Sequence, residues 1–269
     1  MMKRLCVLFL VVMLSGLSRL WAEEVACGEK PIHIAFFRYG FAYYEQKGQE
    51  VGLFPDITDE LARRSGCTFS PAVVSIARMW EDLASGQLDM LIAGRQNPER
   101  DRFAWFIPYA VTKDYALLHK ATAIRVQSLQ DFLQQELLQF GTLRQRSHNS
   151  TEGQFVDQLR QAGRVQESAT AEILLRKLQQ GHIDATFMMP IVYRKIFQDL
   201  QVAEEITVQD WFPENKGYPA HLVLNKRRFS AGDVVRWQEI VAGMQQDGTF
   251  QRIFTRYVPL EEAISMTNF

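Results

Sequence analysis

The spacing of apolar residues changes period repeatedly along this chain, and the clearest changes fall between Gly52 and Tyr109. Phe54, Ile57 and Leu61 recur at helical spacing, with Pro55 in the first turn, where a missing N–H is tolerated. Gly66 closes that helix, and Val73-Val74 within Thr68–Ile76 predict a strand. A second helix is expected over Ala77–Ser85, stopped by Gly86. Asp89 then turns the chain into Met90-Leu91-Ile92-Ala93, an apolar run suited to a strand buried on both faces. Such alternation predicts a parallel sheet with crossover helices, and such sheets bind ligands beyond the carboxyl ends of their strands. The segment at that place is Gly94-Arg95-Gln96-Asn97-Pro98-Glu99-Arg100. It is the candidate site, with Arg95, Asn97 and Arg100 as its polar contacts.

Upstream, Ile32–Phe37 reads as a first strand, followed by the aromatic loop Tyr39-Gly40-Phe41-Ala42-Tyr43-Tyr44 at the same sheet edge. Downstream, Val111–His119 reads as a connecting strand, and Ser128 with Asp131 forms a capping pattern for a helix over Leu129–Leu138. A second alternation follows. Strands are expected at Phe140–Leu143, Val165–Glu167, Ile183–Met188 and Ile206–Val208, and helices at Glu152–Ala162, Ala171–Gln179 and Ile191–Phe197. The breakers Trp211-Phe212-Pro213 and Gly217-Tyr218-Pro219 mark a return crossing. Leu222–Leu224 is a last strand, and helices over Ala231–Met244 and Thr249–Tyr257 end the pattern. Two α/β units joined by two crossings predict a hinge, with the ligand site in the cleft between lobes.

The first residues read as an export signal. Lys3-Arg4 precede the apolar run Leu5–Leu14, which is too short for a stable membrane anchor, and Ala22 offers a cleavage point. Leu20, three residues before the cut, is larger than usual, and Cys6 stands too early to carry a lipid. The expectation is a periplasmic protein cleaved near Ala22. The whole chain carries a net charge of −1; residues 1–22 hold three basic residues and no acid, so the remainder has 27 Lys and Arg against 31 Asp and Glu. That balance argues against nucleic acid or an anionic membrane surface as partner.

Catalytic and metal signatures are absent from the sequence. The five histidines, at 33, 119, 148, 182 and 221, show no metal-ligand spacing. There is no Gly-x-Ser-x-Gly elbow and no Gly-x-x-x-x-Gly-Lys loop. No catalytic residue, metal or cofactor is therefore expected.

Several motifs together resemble the extracellular solute-binding protein family 3, the substrate-binding proteins of polar-amino-acid ABC transporters. They are Gly52 with Phe54 and Asp56-Ile57; Leu83-Ala84-Ser85-Gly86-Gln87-Leu88-Asp89; Pro98-Glu99-Arg100; Pro108-Tyr109; and Asp247-Gly248-Thr249-Phe250-Gln251-Arg252-Ile253 with Tyr257. The resemblance runs from about Pro31 to Val258. It implies an α/β, two-lobed, type II periplasmic-binding-protein fold with two doubly wound, mostly parallel sheets. After a signal at 1–22, lobe one would span 23–112 and 219–269, and lobe two 113–218. It implies a monomer that captures a small carboxylate-bearing solute and delivers it to an inner-membrane ABC permease. The alternatives on the same fold are a module reporting to a membrane sensor and a cyclohexadienyl-dehydratase-like enzyme.

The resemblance also assigns residues. Arg100 would grip the carboxylate, and Phe41, beside Tyr39, would pack on the ligand. Ile76 stands where relatives carry a further aromatic. In lobe two, Ser147 matches an anion-binding hydroxyl, while Arg146 stands where glycine is usual. The position of the acid that holds an amino acid's ammonium group is Met189 here. Methionine cannot neutralise an ammonium, so either another acid substitutes (Glu152, Asp210 or Glu214) or the ligand is no ordinary α-amino acid. In the strand order this fold implies, Cys27 and Cys67 lie at one sheet edge. A disulfide in an oxidising compartment and two separate buried thiols both remain open.

Overall fold

The computed structural model describes residues 27–144 and 150–268. The chain opens with β1 (Ile32–Phe36), a 3-10 turn at Gly40–Ala42, and a short ribbon of β2 (Tyr44–Gln46) and β3 (Gln49–Val51). Then come α1 (Leu53–Ser65), β4 (Phe69–Val73), α2 (Ile76–Ser85), β5 (Met90–Leu91) and the long β6 (Ala104–Thr112). The middle holds β7 (Tyr115–His119), α3 (Lys120–Ala123), α4 (Leu129–Gln134), β8 (Phe140–Leu143), α5 (Ser150–Gln161), β9 (Val165–Ser168), α6 (Ala171–Gln179), β10 (Ala185–Met188), α7 (Pro190–Leu200) and β11 (Ile206–Gln209). The end is β12 (Tyr218–Asn225), α8 (Ala231–Gln246), α9 (Thr249–Phe254) and α10 (Leu260–Thr267).

Two five-stranded sheets result, in the orders β4-β1-β5-β12-β6 and β11-β7-β10-β8-β9. In the first, β4, β1 and β5 run parallel and β12 is the reversed strand; in the second, the reversed strand is β7. The chain leaves the first sheet at Lys113-Asp114 and returns over 210–217. The two crossings are tied together, because β6 and β12 pair up to Thr112 opposite Tyr218. The expected continuous strand Val111–His119 is thus two strands in different sheets. α10 and the β2–β3 ribbon were not foreseen.

The helix ends form where the residue types allow them. Gly66 and Gly86 take left-handed φ of 73° and 88° at the ends of α1 and α2. Ser75, Ser128 and Thr170 accept backbone N–H bonds at the starts of α2, α4 and α6, and Ser230 with Asp233 completes a capping box on α8. The turn motif ending in Asp89 has a second role. Its carboxylate accepts the His33 N–H at 2.9 Å, and the matching Asp184 accepts the Gln139 N–H at 2.8 Å. In both sheets, therefore, the acid pins the start of the neighbouring strand.

Each sheet has its own apolar core. In the second, Phe132, Phe140, Phe155, Phe187 and Trp211 meet with ring centroids between 4.9 and 6.0 Å. Arg164 is buried there and donates to the carbonyls of Phe132, Leu133, Gln135 and Leu138 around the end of α4. In the first core a disulfide joins Cys27 to Cys67, with Cα atoms 5.2 Å apart, just before the paired strands β1 and β4.

Candidate functional site

A cavity of about 320 Å³ lies where the carboxyl ends of β1 and β5 meet the start of α7. Its walls come from Phe37 and Tyr39 after β1, Phe54 on α1, Ile76 and Trp80 on α2, and Gly94, Arg95 and Arg100 after β5. Thr112 and Tyr218 enter from the paired crossings, Met189 and Ile191 from α7, and Met266 from α10. The volume falls at the low end for small-ligand sites. Apart from the two arginines the lining is apolar or aromatic, with a few hydroxyls, and among the described residues it contains no carboxylate.

The loop after β5 is built to hold Arg100. Asn97 does not line the cavity; its Oδ1 accepts the Arg100 N–H at 2.8 Å and shapes the turn. The Arg100 guanidinium donates to the Arg95 carbonyl at 2.8 Å and lies 3.6 Å over the Trp80 ring. Arg95 lies 3.5 Å over the Tyr218 ring. Burial pushes the Arg100 pKa down, Glu99 opposes this, and Arg95 adds to it. A guanidinium stays protonated through such a shift, so the cavity keeps its positive charge. Gly94 gives Trp80 its place: a Cβ there would sit 2.8 Å from the indole and 2.7 Å from Val223. His221 anchors the same glycine, its Nδ1 3.0 Å from the Gly94 carbonyl.

Trp80 escaped the sequence reading, which found Ile76 where an aromatic was expected. The indole comes from one turn later on the same helix face, and the i, i+4 spacing of Ile76 and Trp80 was the available signal. Phe41 is placed differently from Tyr39. It is buried against Tyr44 and Tyr257, at centroid distances of 5.6 and 5.7 Å, and is not part of the cavity lining. Arg146 and Ser147 lie outside the described residues.

Met189 is the N-cap of α7, and its sulfur accepts hydrogen bonds from the Thr112 hydroxyl at 2.8 Å and the Tyr218 hydroxyl at 3.3 Å. None of the three substitute acids joins it. Asp210 pairs with Lys113 at 2.6 Å, Glu214 is exposed, and Glu152 is buried but absent from the lining. Across the cavity, Gly40 at φ 54° touches α7 so closely that a Cβ would lie 2.4 Å from the Ile191 carbonyl oxygen.

The family model for bacterial extracellular solute-binding proteins, family 3, matches residues 38–259. The chain belongs to this family. Solved structures with a similar fold include an ancestral amino acid-binding protein described as a precursor of cyclohexadienyl dehydratase, at 16% identity and a TM-score of 0.64 over 84% of this chain and 95% of that one. Another is a histidine kinase sensor domain with similarity to periplasmic binding proteins, at 14% identity and TM-score 0.66, over 86% and 96%. A third is the arginine-, lysine-, histidine-binding protein ArtJ from Geobacillus stearothermophilus, at 18% identity and TM-score 0.62, over 87% and 99%. The comparison with curated proteins gave no match. The family and these neighbours bear out the two-lobed, mixed α/β periplasmic-binding fold. No helix among the described residues is long and apolar enough to cross a membrane, and none of their His, Cys, Asp and Glu groups forms a metal-binding cluster.

Proposed function

We propose that the protein captures a small carboxylate whose other end is apolar or neutral, and hands it to an inner-membrane ABC permease. The observation that carries this reading is the charge of the cavity: among the described residues it has two arginines and no carboxylate, with Met189 at the position of the family's ammonium partner. In a partly dry cleft a bidentate guanidinium–carboxylate pair is strong, whereas an ammonium without a counter-charge costs several kcal/mol. Arg100 grips the carboxylate with Arg95 beside it, and Tyr39, Trp80 and Phe37 pack on the apolar end in the place first given to Phe41. Ser147 and Arg146 add to the anion site from lobe two. The segment 145–149 contains no acid in its sequence, so it supplies no partner for an ammonium group.

The protein works in the periplasm after removal of residues 1–22. Lobe one comprises 23–112 and 219–269, lobe two 113–218, and they close about a hinge at 110–113 and 213–220. A dehydratase would need proton-transfer groups at the ligand. Among the described residues the cavity walls offer no acid, histidine or cysteine, which favours binding over turnover. A thermal-shift screen over organic acids and amino acids tests the reading. A ligand at 100-fold its Kd adds about 2.7 kcal/mol, an easily read shift. Stabilisation by amino acids alone would overturn it. A neighbouring permease and ATPase gene would favour transport over signalling.

A further inference from the structure

The family match ends at residue 259, yet the chain continues into α10 and returns to the cleft. Pro259 sets the turn, and Ala263 and Met266 are buried on the inner face of the helix. Met266 also reaches the cavity wall. From the same helix Glu262 crosses to α7, on the other sheet's side. Arg194 donates to it through both Nε, at 2.7 Å, and the second guanidinium nitrogen, and the Tyr193 hydroxyl adds a third bond at 3.3 Å. Only 34% of the Arg194 side chain and 20% of the Glu262 side chain are exposed, so this pair is far from a loose surface contact.

The placement of this pair gives it leverage. α7 begins at Pro190 with Met189 as its N-cap, and this end supplies Met189 and Ile191 to the cavity and packs on Gly40. Any opening of the cleft that carries α7 away from Gly40 must also pull Arg194 off Glu262. We propose that α10 is a latch: it holds the two lobes together through Glu262 and Arg194, whatever solute the cavity takes. Closure is then partly built into the empty protein, and the ligand has less of it to drive.

The test needs no ligand. Nitroxide labels at Val235→Cys on α8 and Ile173→Cys on α6, both exposed, report the interlobe distance by double electron–electron resonance. The unliganded full chain should be mainly in the short-distance state. Glu262→Gln and Arg194→Gln should each lower the closed-to-open ratio about tenfold, as expected for losing a charge-assisted bond worth about 1.5 kcal/mol. The charge-exchanged pair Arg194→Glu with Glu262→Arg should restore it. Distance distributions unchanged in both single variants, even with a lowered melting temperature, would overturn the latch. So would a predominantly open wild type, or an exchanged pair no more closed than the singles.

Discussion

The guanidinium carbon of Arg100 stands 3.6 Å from the centre of the Trp80 ring, and the guanidinium also donates a hydrogen bond to the Arg95 carbonyl. These contacts orient the guanidinium in advance, so in the proposed role as carboxylate grip it would lose less rotamer freedom on binding. Arg100→Ala should cost about 2–5 kcal/mol of carboxylate affinity, because it leaves the ligand's charge unpaired in a partly dry site. Trp80→Leu, which keeps the arginine but removes its platform, should cost about 1–2 kcal/mol. Calorimetry on the best carboxylate from the screen checks both. Equal affinity in wild type and Arg100→Ala would remove Arg100 from the site.

Gly40 provides a separate test of closure. At φ 54° it has a conformation that suits glycine, and an added Cβ would lie 2.5 Å from the Val192 Cα. Gly40→Ala should therefore force α7 outward and destabilise the fold by about 1–3 kcal/mol. Urea unfolding measures the second effect, and small-angle scattering should find a larger radius of gyration for the variant.

Much of this arrangement was legible because its causes are local. Gly66, Gly86, Ser128 and the Gly-x-Leu-Asp turn each do their work within a few residues, so the order of strands and helices could be read from them. The candidate loop ending at Arg100 was placed by the same logic. What stayed hidden depends on distant partners. Phe41 lies off the cavity, packed on Tyr44 and on Tyr257, a contact across the chain that no local pattern announces. α10 is eight residues long, too short to be stable alone, and is fixed by its packing and by Arg194. Trp80 needed both its helix face and the space left by Gly94.

The disulfide turns one open alternative into a measurable one. Cys27 and Cys67 close a separation of 40 residues. The chain-entropy relation gives about 3–4 kcal/mol for such a loop. Thiol titration of exported, denatured, unreduced protein should find no free thiol, and reduction should lower urea stability by that amount. Two titratable thiols would contradict the bridge.

Acid stability should depend on a surface network between α1 and α9. Hydrogen bonds from Arg63 and then Arg64 lower Glu60 from its ordinary 4.5 to about 2, against the opposing effect of burial. A carboxylate depressed in the folded state contributes stability that is full above its unfolded pKa and is lost as pH falls through the folded one. The window is therefore about pH 4.5 to 2. Near-surface ion pairs of this kind contribute about 1 kcal/mol. Glu60→Gln should lose that amount at pH 7 and show a flatter fall in stability below pH 4.5, read by urea unfolding across the range.

The absence of an ammonium partner at Met189 is tested most directly by calorimetry on matched pairs of acids that differ only in an α-amino group, such as phenylpropanoate and phenylalanine. The same titrations are run on wild type and on Met189→Asp. In the wild type the amine-free acid of a bound pair should be the tighter ligand, because Thr112 and Tyr218 surround a thioether where a carboxylate would be needed. Met189→Asp should narrow or reverse the preference by adding the missing charge and repelling the plain acid. Sub-micromolar binding of a standard amino acid by the wild type, or the same preference in both proteins, would contradict the account.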